Sequence, residues 1–84
     1  VRAILESAGT IIYTGHARRR MAKRRVSEVD VVNVLRGGWC EPAEWENGGW
    51  RHRVCTQRIH VVVEIEVDEN ELTVVTVIRV ERLR

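Results

Sequence analysis

From His16 to Arg25 the chain reads His-Ala-Arg-Arg-Arg-Met-Ala-Lys-Arg-Arg, in which six of ten residues are Lys or Arg and none is acidic. In a helix, His16, Arg20 and Arg24 recur at i, i+4 and i+8 and stack on one face, while Ala17 and Met21 lie one step round and can meet a core. Like charges at that spacing repel by a few tenths of a kcal/mol per pair, a cost that an anion on the same face offsets. Histidine is the side chain that titrates near neutrality without help, so His16 is a candidate proton acceptor and donor. Arg20 and Arg24 offer planar, bidentate donors to a phosphate and can stabilise charge that builds on it in a transition state. Each has a plainer alternative: a histidine that caps or packs at a helix start, and arginines paired on the surface, for instance with Glu64 or Glu66. Arg18, Arg19, Lys23 and Arg25 point elsewhere on the helix and suit steering or RNA-backbone contacts, with plain solvation as the equal alternative.

A second set of candidates lies on strands. Arg51, His52 and Arg53 are consecutive, so strand alternation puts Arg51 and Arg53 on one side and His52 on the other. Thr76 and Arg79, three apart, are likewise separated, and Arg79 sits among apolar neighbours. Trp50 offers a ring for base stacking, or simple packing beside a turn. Cys40 and Cys55 match no zinc spacing. If Asn47-Gly48 is a two-residue turn, Cys40 falls opposite Cys55. In a reducing compartment they read as two free thiols. The sequence holds no phosphate-binding glycine loop, serine triad or acidic metal cluster, so neither a metal nor a cofactor is expected.

These residues need elements to hold them. Val1, Ile4, Leu5 and Ala8 have the spacing of a short amphipathic helix over residues 1–8, ended by Gly9. Thr10 to Thr14 is β-branched and aromatic, a short strand. Thr14 is the N-cap candidate of the basic helix. Ser27 with Asp30 resembles a capping box, opening a packing helix from Glu28 to about Arg36 that Gly37-Gly38 stops. The remainder reads as a four-stranded meander: an edge strand from Trp39 to Glu46 that tolerates Pro42, a hairpin at Asn47-Gly48-Gly49, strands from Trp50 to Gln57 and Ile59 to Val67, an acidic turn, and a strand from Leu72 to Val80 that is apolar on both faces and so belongs inside the sheet. The expected fold is α+β, one domain over residues 1–84, with helices on one face of a mainly antiparallel sheet.

Composition sets bounds. A chain of 84 residues supports one modest core. No apolar run approaches the ~20 residues of a membrane span, and no secretory signal pattern is present, so a cytoplasmic location is expected. Net charge is +2, but residues 1–38 carry eight Lys/Arg against three Asp/Glu (+5) and residues 39–84 six against nine (−3). A polyanion would meet the basic half first.

The pattern His16-Ala17-x-x-Arg20-Met21-x-x-Arg24, followed by Val26-Ser27-x-x-Asp30-Val31 and Leu35, resembles a bacterial family of short domains of formally unknown function placed near the MqsR and RelE toxins. Gly49-Trp50-Arg51 resembles that family's next strand, and Val75-Thr76-Val77 with Arg79 its last. The resemblance covers roughly residues 10–80. Arg25 stands where the family often has glycine. The resemblance implies a RelE/MqsR-like fold and a toxin of a toxin–antitoxin pair, an mRNA interferase that cuts RNA, free or on the ribosome, by attack of the ribose 2′-hydroxyl without a metal. It places His16, Arg20, Arg24, Arg51, Thr76 and Arg79 in the catalytic site and an acidic antitoxin as partner. The alternatives are a non-catalytic RNA-binding module using the same basic face, and an interaction domain whose basic helix docks an acidic protein.

Overall fold

The computed structural model describes residues 9–66 and 68–80, and the amphipathic helix expected over residues 1–8 lies outside them. The elements run in the order β1 (Thr10–Tyr13), α1 (Gly15–Arg24), α2 (Glu28–Gly37), β2 (Trp39–Cys40), β3 (Glu44–Glu46), β4 (Gly49–Cys55), β5 (Ile59–Glu66) and β6 (Glu71–Arg79). The strands form one sheet in the order β1-β6-β5-β4-β2, with β3 also paired to β4. Among the described residues only the β1–β6 pair is parallel; the β2–β4, β3–β4, β4–β5 and β5–β6 pairs are antiparallel. The fold is α+β with a mainly antiparallel sheet, as the alternating strands and two capped helices predict.

Both helices form where their caps require. The Thr14 side chain accepts from the Ala17 N–H, so β1 passes into α1 with no loop. Ser27 and Asp30 exchange reciprocal bonds, Asp30 N–H to Ser27 Oγ at 3.1 Å and Ser27 N–H to Asp30 Oδ2 at 2.9 Å, a complete capping box. At the other end of α1, Val26 N–H bonds Met21 O and Arg25 N–H bonds Ala22 O, the paired closure of a left-handed cap with Arg25 at φ 56°. Met21 and Val26, the residues joined across that cap, are both buried.

The core lies between the helices and one face of the sheet. Ala17 and Met21 of α1 and Val31, Val34 and Leu35 of α2 pack with Val54, Val61, Val63, Leu72, Val74 and Val77. Gly38 brings α2 against β4 so closely that a Cβ there would stand 2.5 Å from the Cys55 carbonyl. The other face of the sheet carries no helix among the described residues.

Three features depart from the sequence expectation. The edge strand breaks around Pro42 into β2 and β3, so the four-strand meander becomes five strands. Register runs Glu44↔Arg51 on one side of the break and Cys40↔Val54 on the other. The five residues from Cys40 to Glu44 thus stand against only four on β4, Arg51 to Val54. That bulge slips the pairing by one, so Cys40 opposes Val54, not Cys55, and the cysteines lie on opposite faces. Strand β4 ends at Cys55, not Gln57, because Thr56 Oγ1 accepts from the Arg58 and Ile59 N–H groups and turns the chain. Most consequentially, β6 does not alternate throughout. Val62 pairs with Thr76 but Val63 with Val74, which leaves Val75 as an extra residue in a bulge. Leu72 and Val74 face the core before it, and Val77 after it.

Candidate functional site

The β6 bulge brings two of the candidate residues, His16 and Thr76, together. Because Val75 is extra, Thr76 turns to the uncovered face of the sheet, where it lines up through Val62 with Arg53. The Val75 carbonyl accepts the Thr14 hydroxyl at 3.1 Å. Thr14 N–H bonds Val74 O, also at 3.1 Å. The start of α1 is therefore tied to the bulge, and His16, two residues on, reaches Thr76: Nε2 stands 3.2 Å from Oγ1. Arg20 and Arg24 continue from His16 along one face of α1. Neither forms an ion pair or side-chain hydrogen bond with another described residue.

On the uncovered face a concavity of about 240 Å³ adjoins Thr76, walled by the β2–β3 segment on one side, with Arg51, Arg53, Val62 and Ile78 in the sheet. Its arginines are not bare. Arg51 Nε donates to Glu64 at 3.1 Å and its Nη1 stands 3.7 Å from Glu46. Arg53 holds Glu41 more loosely, at 3.9 Å. Among the described residues Glu44, directly across from Arg51, makes no ion pair.

Other sequence candidates lie elsewhere. Arg79 is on the helix side of β6, where its Nη1 donates to the carbonyls of Arg24 at 3.2 Å and Arg25 at 3.4 Å. That is a cation on the last carbonyls of α1, a stabilising position. Arg18 stacks 4.8 Å over the Tyr13 ring and pairs with Glu28 at 3.6 Å. Trp50 faces away from Arg51 and meets Trp45 edge-to-face with centroids 5.4 Å apart. Arg19, Lys23 and Arg25 are exposed. Burial, with Glu28 adding to it and Arg18 opposing, raises the Tyr13 phenol above its ordinary value. Burial likewise raises the Cys55 thiol, so neither group is poised to act as a base or nucleophile near neutrality. Among the described residues no group of three or more His, Cys, Asp or Glu side chains is placed to hold a metal, and no helix is long and apolar enough to cross a membrane.

Sequence reasoning overlooked two participants. Glu44 was legible, since the Asn47-Gly48 turn already sets it opposite Arg51. The Val75 bulge was not, because nothing in a run of β-branched residues marks which one is extra.

The fold and site define a small α+β domain with an arginine-rich helix tied to the edge strand pair of a mainly antiparallel sheet that is open on one face. Residues 13–79 match a domain of unknown function, DUF4258, and the chain belongs to that family. No curated protein and no solved structure matches it.

Proposed function

We propose that the protein is a metal-independent endoribonuclease and the toxin of a toxin–antitoxin pair, related to the MqsR and RelE toxins. The observation that carries the reading is the His16–Thr76 contact, which sets an exposed imidazole at the edge of the open sheet face, with Arg20 and Arg24, which pair with no acid among the described residues, on the same face of α1. In this reading Nε2–H donates to Thr76 Oγ1, which fixes the tautomer and leaves Nδ1 to accept a proton. Nδ1 takes the ribose 2′-hydroxyl proton as the 2′-oxygen bonds to phosphorus. The bond from phosphorus to the 5′-oxygen breaks, and the departing oxygen takes a proton from the imidazolium or from water. The products are a 2′,3′-cyclic phosphate and a 5′-hydroxyl. General base catalysis of this kind contributes typically 10²–10⁴-fold. Arg20 and Arg24 bear the charge on the phosphate, and Arg51 orients the substrate from the sheet while sharing its guanidinium with Glu64. Arg79 serves the site by holding the end of α1.

The nucleophile belongs to the substrate, so the chemistry requires no metal. A silencing partner would present carboxylates to α1, which fits an acidic antitoxin. The test is cleavage of RNA by purified protein in EDTA, free and on ribosomes, beside His16→Ala, Arg20→Ala and Glu69→Ala. Wild type and Glu69→Ala should cut and leave cyclic phosphate ends, while the other two stay folded and fail. Undiminished cutting by His16→Ala would remove its role. Salt-sensitive RNA binding with no cutting would make the protein a binding module that uses the same face.

A further inference from the structure

The concavity beside Thr76 has a chemistry of its own. Its floor is apolar, with Val62 and Ile78 side by side on the open face. Its rim holds one carboxylate without an ion-pair partner among the described residues, Glu44, and one loosely engaged guanidinium, Arg53, whose side chain is 46% exposed. At about 240 Å³ it has room for a planar base.

We propose that this concavity is a guanine-binding subsite, which sets the sequence preference of the nuclease proposed above and rests on that reading only for its role in cleavage. Guanine is the base that places two N–H donors, N1–H and the 2-amino group, side by side on one edge and acceptors at O6 and N7 beside them. A carboxylate takes the first pair, and an arginine donates bidentately to the second. Glu44 and Arg53 provide that acceptor and that donor at one rim. Adenine and cytosine bring an amino group toward Arg53, and uracil offers Glu44 a single N–H. The apolar floor receives the ring face. Thr76 and Arg53 flank Val62 in register, about 10 Å apart across two strand spacings, a span that one nucleotide bridges from its base edge to its phosphate. A guanine seated here brings the adjoining phosphate toward His16.

Two measurements separate this subsite from the catalytic reading. The first is binding of 3′-GMP, 3′-AMP, 3′-CMP and 3′-UMP to the intact protein, followed by backbone amide shifts and titration. 3′-GMP should bind roughly ten-fold tighter than the others, as one bidentate pair provides, with shifts centred on Glu44, Arg53 and Ile78. Glu44→Gln should bring the four within about two-fold. The second is mapping of cut sites on a mixed-sequence RNA, which should fall beside guanosine in wild type and spread in Glu44→Gln. Guanine-selective binding without cutting keeps the subsite and ends the nuclease reading. Cutting with no guanosine preference and equal binding of the four nucleotides ends the subsite and keeps the nuclease. Shifts confined to α1, with the phosphate alone recognised, also overturn it.

Discussion

The Thr14 hydroxyl donates to the carbonyl of Val75, sixty-one residues away in sequence, while accepting the Ala17 N–H. One oxygen thus caps α1 and anchors the β6 bulge, and the contact between His16 and Thr76 depends on both. Thr14→Val keeps the shape and removes both bonds. It should cost about 1–2 kcal/mol of stability by urea denaturation and lower RNA cutting per folded molecule. Thr14→Ser should restore most of each. Wild-type cutting by folded Thr14→Val would show that the site does not need this tie.

Arg25 closes α1 at φ 56°, a conformation that glycine adopts without strain and other residues do not. Arg25→Gly should raise stability by about 0.5–1 kcal/mol, read as a higher urea midpoint at unchanged slope. A lower midpoint would mean that the Arg25 charge at the helix end outweighs its backbone strain.

Arg79 distinguishes a helix anchor from a catalytic group. Arg79→Met removes a charged donor from the Arg24 and Arg25 carbonyls and should cost about 1 kcal/mol, with RNA cutting falling only as far as the folded fraction falls. A large loss of cutting in protein that circular dichroism shows to be folded would return Arg79 to the catalytic site.

Asp30 gives a pH dependence with a definite sign. The Ser27 N–H bond first, and the Ser27 hydroxyl second, hold its carboxyl below the ordinary value. A depressed pKa contributes stability that is present above the unfolded value and disappears as pH falls through the folded one. Glu71 has the opposite shift, raised chiefly by its hydrogen bond with Glu69, so its contribution weakens as pH rises above the ordinary carboxylate range. Asp30→Asn should flatten the acid limb of a stability-against-pH curve measured by chemical denaturation, and Glu71→Gln the part just above it. If Asp30→Asn left the acid limb as steep as in wild type, the capping box would not be its source.

The caps, the helices and most of the sheet were legible because each is a local decision. Thr14, Ser27 and Asp30 satisfy donors within three residues of themselves. Ala17 and Met21 fall inward because helical period places them on one stripe, and Asn47-Gly48 fixes the β3–β4 register by turn geometry alone. The stack of His16, Arg20 and Arg24 followed from the same period. Strict alternation puts Thr76 on one face with Leu72 and Val74, and the bulge separates it from them. The side of the sheet a strand residue faces reverses at a single extra residue, and where that residue falls is decided by partners far away in sequence. Val62 and Val63 on β5 set the two registers, and the Thr14 hydroxyl holds the carbonyl of Val75 in the bulge. The sequence alone determined that His16 leads an arginine-rich helix face; only the tertiary structure decided that Thr76 turns to the open face of the sheet and meets His16 there.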